Sequence, residues 1–540
     1  MSLILLLAIS AVFLLVAYFT YGRFVTNKLK LNNKTVTPSH TQEDGIDYIP
    51  SNKFVVLGHH FASIAGAGPI IGPIIAVTFG WIPAVIWILI GGVFFGAVHD
   101  TTSMTASIRH KGKSIGTIIH SHIGKGGKRL FLFFSFATLI LIIAVFADVI
   151  AKTFVKNLEV AAASGLFIVL AIIFGRLTHH FRNKKSAFAI LSVFGVVLMY
   201  VFIFLGAKIP ISLGYVSWVG ILLLYASVAS VTPMNFLLQP RDYLSSFLLY
   251  GLMLLAIIGI AVANPEIKMD NNIQLHSDSI GYLFPVLFVT VACGAISGFH
   301  SLVASGTTSK QIDKETDVKT VGFGGMLIES FLAIISVGAV IVLERANYTG
   351  LLLTDGPVNM FADGLGFIIS ALGIDERLSV TFVALTISAF ALTTLDTCTR
   401  LARFTFQEYF DDAKPSTFKK ATQNRFLATS IVAILSVLML FSGEFSVLWP
   451  IFGSANQLLA ALALLAVTVW LKKINENATF VMIPMFLMFI VTLTSLFFFA
   501  WENYNKGIYV LSIIAGVLFV LSIVLISLAF RSLKAEKQVV

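Results

Sequence analysis

The chain has 540 residues, of which 57% are apolar and only 12% are charged, against roughly 25% charged in an average soluble domain. That balance excludes an ordinary soluble enzyme, because the apolar residues fall in runs of about 20, long enough to cross a bilayer. The formal net charge of +10 does not call for a nucleic-acid partner, since the basic residues collect in short loops between apolar runs, as they do on the cytoplasmic side of membrane proteins.

An all-α polytopic membrane protein with about 15 transmembrane helices is therefore expected. In chain order the apolar runs are 2–22, 54–79, 82–107, 130–151, 162–180, 187–207, 215–238, 244–264, 282–305, 321–343, 378–395, 426–442, 447–471, 479–500 and 508–530. Of the 37 Lys and Arg, 29 lie in one alternating set of loops, 7 in the other, and Arg176 lies within a run. The positive-inside rule then puts the N-terminus outside and the C-terminus, with Arg531, Lys534 and Lys537, in the cytoplasm. Met1 to Tyr21 has no positively charged start and no small-residue cleavage site, so it reads as a retained helix. Residues 356–374 are apolar and glycine-rich but short, which suits a re-entrant hairpin better than a crossing. No loop is long enough for a catalytic or signalling domain. Cys293 and Cys398 have no metal or redox spacing and read as buried thiols.

The second run carries Pro69 and Pro73 with Gly66, Gly68 and Gly72. Proline withholds a backbone donor and glycine tolerates a break, so an unwound middle is expected, of the kind transporters use to offer backbone groups to ions and substrates. The same glycines also form a GxxxG pair suited to close helix packing. Polar groups recur at one depth. His60 lies roughly 9 Å inside the second run and His99 and Asp100 roughly 10 to 12 Å inside the third, at 1.5 Å per residue. His300 sits at a similar depth in the ninth run. Ionisable groups in a membrane helix mark a pathway or a structural bond. The set has three readings: a proton relay, a structural hydrogen-bond network, or a metal site of unknown ion, although no two His have i, i+4 spacing.

The ninth run ends in Ser305, Thr307, Thr308 and Ser309, hydroxyls that suit an alkali cation or a substrate carboxylate and equally suit helix capping. Pro233 is expected to break or kink the seventh run after Thr232, with Asn235 and Gln239 following and Arg241 and Asp242 at the inner mouth. Arg241 either holds a carboxylate or pairs with Asp242. Asp396, Asn456 and Gln457 are expected to face the bundle, and Asp148 to pair with Lys152 four residues on.

His60-Phe-Ala-Ser-Ile-Ala-Gly-Ala-Gly-Pro-Ile-Ile-Gly-Pro73, Gly96-Ala-Val-His-Asp100 and Gln239-Pro-Arg-Asp-Tyr243 together carry a resemblance. So do Ser297-Gly-Phe-His-Ser-Leu302, Thr394-Leu-Asp-Thr-Cys-Thr-Arg-Leu401 and Leu448-Trp-Pro-Ile-Phe-Gly-Ser-Ala-Asn-Gln-Leu-Leu459. The chain resembles the carbon starvation protein A family of bacterial membrane transporters over most of its length. The resemblance implies a LeuT-like inverted-repeat core of the APC superfamily with accessory helices. Run 54–79 would be the first core helix, 215–238 the sixth and 282–305 the eighth. Residues 1–53 would be accessory, 54–400 the core and 401–540 C-terminal accessory helices. It implies a transporter in the bacterial plasma membrane, not an enzyme, importing peptides or pyruvate during carbon starvation with H+ or Na+ as the coupling ion and no other cofactor. A nutrient receptor that binds without transport is the alternative.

The expected substrate residues are Ser63, Ala65, Gly66, Gly68, Pro69, Thr232, Asn235 and Gln239. The expected ion-coupling residues are His60, His99, Asp100, His300, Ser305, Thr307 and Thr308. The partners are a small-molecule substrate and the lipid bilayer, with no nucleic acid, and nothing in the sequence fixes an oligomeric state.

Overall fold

The computed structural model describes residues 2–45, 48–180, 185–206, 208–233, 237–278, 280–411, 417–442 and 445–537. Between loops the described residues form helices, with one hairpin of two two-residue strands, His276–Ser277 and Gly281–Tyr282, and three isolated bridges. Polar caps set several helix starts: the side chain of Asn52 accepts from Phe54 N, Asp375 from Leu378 N and Asn424 from Phe426 N.

Among the described residues, ten helices are long and apolar enough to cross a membrane, or twelve if each of two bent pairs counts as one span. The three further runs read as spans differ in a definable way. Lys185–Gly206 is a helix of 22 residues, within which Ile190–Gly206 is the apolar stretch, and Tyr215–Val231 is an apolar helix of 17 residues, shorter than the span expected at 215–238. Run 282–305 is not one helix but three pieces, Leu283–Thr290, Ala292–Ala295 and Gly298–Gly306. The segment read as a re-entrant hairpin is a helix, Gly356–Ser370, preceded by a second, Arg345–Thr354.

The break expected in the second run is present. Lys53–Ile64 and Gly68–Phe79 meet at a bend of 50° across Ala65 to Ala67. Pro69 falls in the first turn of the second piece, where its missing N–H has no partner to lose. The glycines also pack closely, so both sequence readings hold together. A Cβ on Gly72 would strike the Thr290 carbonyl oxygen, one on Gly68 the Cys293 side chain, and one on Gly66 Thr394 Oγ1.

The second break was hidden in the sequence because no proline lies at it. Ile296 (φ −158°, ψ 127°) and Ser297 (φ −128°, ψ 127°) are extended. Buried backbone that leaves a helix needs other partners, and the helix Phe445–Lys473 provides them. Asn456 Oδ1 accepts from Phe299 N at 2.9 Å, Asn456 Nδ2 donates to Ser297 Oγ at 2.9 Å, and Gln457 Nε2 donates to the Phe288 carbonyl at 2.7 Å. Gly298 lets the two backbones approach, since a Cβ there would meet Ala460 N at 2.5 Å. A boundary at residue 400 therefore cuts the helix Glu376–Tyr409 and separates Asn456 from the break that it caps.

The packing repeats. Gly68–Ala76 packs on Gly325–Ile341 as Gly298–Gly306 packs on Ala97–Arg109, and Lys53–Ile64 packs on Leu238–Ala263 as Leu283–Thr290 packs on Phe445–Lys473. The two longest helices, Lys125–Lys156 and Glu376–Tyr409, lie against each other, and Tyr215–Val231 and Arg425–Leu440 each pack on both. The counterpart of 53–79 in this pattern is 283–306, not 215–238 as the resemblance implied. Helices with a π-type turn follow each broken helix, at Gly92–Gly96 and Lys319–Gly324. Leu3–Lys28 is only 33% buried over its most apolar window and Tyr509–Arg531 28%, whereas that of Trp449–Lys473 is 100% buried. The first two are peripheral and the third is central.

Candidate functional site

The polar groups read at one depth converge in the core. Asp100 joins two imidazoles: His99 Nδ1 donates to Oδ1 at 2.8 Å and His300 Nδ1 to Oδ2 at 2.9 Å, because an ionised carboxylate only accepts. On its other side His300 Nε2 lies 3.4 Å from Glu329 Oε2. The result is a continuous chain His99, Asp100, His300, Glu329, with all four side chains 0% exposed. His60 is equally buried, bonds Thr308 at 2.9 Å through Nδ1, and stacks where a Cβ on Gly325 would touch it at 3.3 Å. Gly325 stands one helical turn before Glu329, so His60 and Glu329 border one face of that helix.

Glu329 was missed in the sequence, although a signal existed. It is a lone carboxylate in Gly325-Met-Leu-Ile-Glu-Ser-Phe-Leu332, and a charge in such a run is costly unless it has a function or a partner. Both of its oxygens lack a hydrogen-bond partner of good geometry, as do Nε2 of His60, His99 and His300. Each such atom in a buried chain calls for an explanation beyond packing. Among the described residues no group of three or more His, Cys, Asp and Glu is disposed to hold a metal ion.

The hydroxyls at the end of the ninth run divide. Thr308 bonds His60, and Ser309 bonds Ser107 at 2.8 Å. Ser305 donates to the Ser301 carbonyl and Thr307 to that of Val303, both as helix-internal bonds. Ser305 and Thr307 also line a cavity of about 710 Å³ that extends from Lys113, Lys310 and Asp411 to Ser63 and Ser135. The faces of Lys53–Ile64 thus separate the two features, with His59 and Ser63 on the cavity and His60 on the buried chain.

Of the residues expected to bind substrate, Ser63 lines the cavity, where its hydroxyl donates to the His59 carbonyl at 2.8 Å. Ala65, Gly66, Gly68 and Pro69 form the break but pack against protein. Thr232 caps the end of Tyr215–Val231, where its carbonyl accepts from Arg400, while Pro233 reaches the cavity. Asn235 lies outside the described residues, and so does the side chain of Gln239.

A second buried network tethers the helix Leu238–Ala263. Arg241 Nη1 pairs with Asp396 and donates to Tyr225 Oη at 2.5 Å, and Tyr225 donates in turn to Asp396 Oδ2 at 2.9 Å. Arg241 therefore holds an internal carboxylate, and it also pairs with Asp242, Nη2 to Oδ1 at 3.6 Å, as their adjacency allows; Asp242 lines the cavity with His59, whose Nδ1 is 3.9 Å from its Oδ2. At the opposite end of the bundle Asp148 pairs with Lys152 at 2.8 Å, as its spacing predicts, and accepts from Tyr215 at 2.6 Å.

Ten to twelve apolar helices among the described residues, together with two broken segments, 53–79 and 283–306, that meet at a buried ionisable chain and a polar cavity, define a multi-pass membrane protein with an internal polar site. The sequence matches the family described as Carbon starvation protein CstA over residues 2–354 and 349–495. The chain belongs to that family. It is 33% identical to the peptide transporter CstA of Campylobacter jejuni over 87% of this chain and 77% of the relative. It is 32% identical to the pyruvate/proton symporter BtsT of Escherichia coli over 86% of this chain and 76% of that protein. These relatives are named as transporters, not enzymes, and with the apolar helices they make the chain a multi-pass protein of the bacterial cell membrane. Among solved structures, MhsT in complex with L-phenylalanine aligns over 88% of this chain and 99% of its own, at 12% identity and a TM-score of 0.48.

Proposed function

We propose that the chain is a secondary active transporter that imports small carboxylate-bearing nutrients, peptides or pyruvate, by symport with a proton. The observation that carries this reading is the chain His99, Asp100, His300, Glu329, which alternates imidazole and carboxylate inside a membrane bundle. Imidazole gains and loses protons near neutral pH, and two carboxylates within reach of one imidazole offer a proton alternative positions without separating charge over long distances. The relatives named as a peptide transporter and a pyruvate/proton symporter support the substrate classes and the ion. Expression during carbon starvation follows the family's name and belongs to the same proposal.

The core of this transporter is the LeuT-like inverted repeat, supported by the repeated packing of 53–263 and 283–473 and by a break in the first helix of each half. In this assignment 283–306 is the sixth core helix and the core runs through Lys473, with Leu158–His180 and Lys185–Gly206 as an added pair. The cavity opens among Lys113, Lys310 and Asp411, in loops that the charge bias assigns to the cytoplasm. It is the inward-facing vestibule, and the C-terminus lies on the same side. Substrate reaches Ser63 beside the first break, while the proton chain lies across the helix from it and rearranges with the same broken helices. Sodium coupling through Ser305 and Thr308 is the second reading: Ser305 Oγ donates to Ser301 O and keeps lone pairs for a cation, whereas Thr308 Oγ1 pairs with His60. The test is uptake of labelled dipeptide and pyruvate by proteoliposomes under imposed pH or sodium gradients. Accumulation should follow the pH gradient, and indifference to it would refute proton symport.

A further inference from the structure

The geometry points to a phosphate-binding site between Arg403 and Arg425 at the cytoplasmic end of the bundle, where the headgroup of an anionic phospholipid or a free phosphate ion completes two arginines that the protein leaves without a carboxylate. The inference does not depend on which substrate is transported.

Arg403 lies on Glu376–Tyr409, six residues before its end, roughly 9 Å at 1.5 Å per residue. It is 6% exposed, its guanidinium lies 4.4 Å from the centroid of the Phe404 ring, and its Nε is buried without a hydrogen-bond partner. Among the described residues it makes no hydrogen bond and no ion pair. The charges that act on it are those of Arg400 and Arg425, both of its own sign. A guanidinium taken out of water without an acceptor is unfavourable, and like charges gathered beside it add repulsion.

Capping of the helix Tyr215–Val231 accounts for Arg400, whose Nη2 donates to the carbonyls of Ala229 and Thr232 and whose charge also reaches Asp242. It does not account for Arg403, which bonds no carbonyl. Arg425 touches the Val231 carbonyl only at 3.5 Å, the outer limit of a hydrogen bond. It also opens the helix Arg425–Leu440, whose first turn carries no acidic residue. A positive charge at a helix N-terminus opposes the helix dipole. Two adverse placements of one sign are relieved together by a single anion.

Phosphate is the complementary anion, because its oxygens accept the parallel N–H groups of a guanidinium fork and one phosphate accommodates two forks. Both arginines stand near the level of the cytoplasmic headgroups, where basic pockets between helices take anionic lipid. From Arg425 the exposed side chains of Phe426, Leu427, Ile434 and Leu438 run along the same helix into the apolar layer, the surface that acyl chains cover.

The experiment uses the full-length protein purified in detergent, with dioleoyl phosphatidylglycerol, dioleoyl phosphatidylcholine and inorganic phosphate as probes and bound lipid counted by native mass spectrometry. Losing one arginine fork from a phosphate corresponds to roughly tenfold or more in affinity. The wild type should therefore hold phosphatidylglycerol more tightly than phosphatidylcholine, whose choline offsets the phosphate charge, by at least that factor. Arg403→Gln and Arg425→Gln should each reduce the preference to about twofold, whereas Arg23→Gln, at an exposed arginine of the same membrane face, should leave it unchanged. Inorganic phosphate at fixed ionic strength separates the two sources. A melting temperature that phosphate raises in the wild type but not in Arg425→Gln, without a preference between the lipids, assigns the site to the free ion. No lipid preference and no response to phosphate overturn the inference, as does a loss in Arg23→Gln equal to that in Arg403→Gln. If Arg403→Gln does not fold, the exposed Arg425→Gln decides.

Discussion

Replacing Asp100 by Asn tests the central claim most directly, because the change preserves shape and alters only charge and donor pattern. Asp100 accepts from His99 at 2.8 Å and from His300 at 2.9 Å. An asparagine keeps one oxygen for one imidazole and turns an NH₂ toward the other, so one imidazole must move its proton to the opposite nitrogen or lose its bond. For His300 that opposite nitrogen faces Glu329. Each bond to a charged group contributes about 1.5 to 3 kcal/mol against about 0.5 to 1.5 for a neutral pair, so two bonds weakened together predict a destabilisation of about 2 to 3 kcal/mol. If the proton path requires the carboxylate, a barrier raised by about 2 kcal/mol slows gradient-driven uptake by roughly 30-fold. Thermal unfolding in detergent reads the first quantity and proteoliposome uptake with an imposed pH gradient reads the second. Uptake within about twofold of the wild type, with the same dependence on the gradient, would refute the role of this chain in coupling.

Three further outcomes are expected. Glu329→Gln should cut proton-driven accumulation by at least about tenfold while substrate exchange without a gradient continues, since the carboxylate faces His300 and not the cavity; equal loss of both activities would show a structural role only. Gly72→Ala should lower stability by about 1 to 3 kcal/mol, because the added Cβ meets the Thr290 carbonyl and the two broken helices must separate; an unchanged melting temperature would contradict the observed close approach. In the loop after Ala263, Arg345 bonds Asp270 through Nε and Nη2, both at 2.8 Å, and these hydrogen bonds hold its carboxyl below the ordinary carboxylate value. A lowered folded-state value gives stability that is present above the unfolded value and lost as pH falls through the folded one. The difference in melting temperature between wild type and Asp270→Asn should therefore be small at neutral pH, as for exposed pairs generally, and vanish in strong acid; a difference that grows on acidification would reverse the assigned sign.

By itself the sequence determined the environment, the approximate helices and part of the site. Apolar runs and the skew of basic residues are local and additive properties, so they survive without tertiary information. The first break was legible because Pro69, Pro73 and three glycines announce it in the covalent chain. The depth of His60, His99, Asp100 and His300 was legible because helical rise is constant. Tertiary structure decided what depended on partners distant in the chain. The second break leaves almost no local mark, because Asn456 and Gln457, about 160 residues further on, satisfy its backbone. Arg241 and Asp242 form the pair that their adjacency suggests, at 3.6 Å, but Asp396 and Tyr225, distant in the chain, make the shorter bonds to Arg241. Glu329 was visible as a charge in an apolar run, but its place at the end of the His99, Asp100, His300 chain depends on three helices meeting, and the meeting of helices is a property of the packed bundle alone.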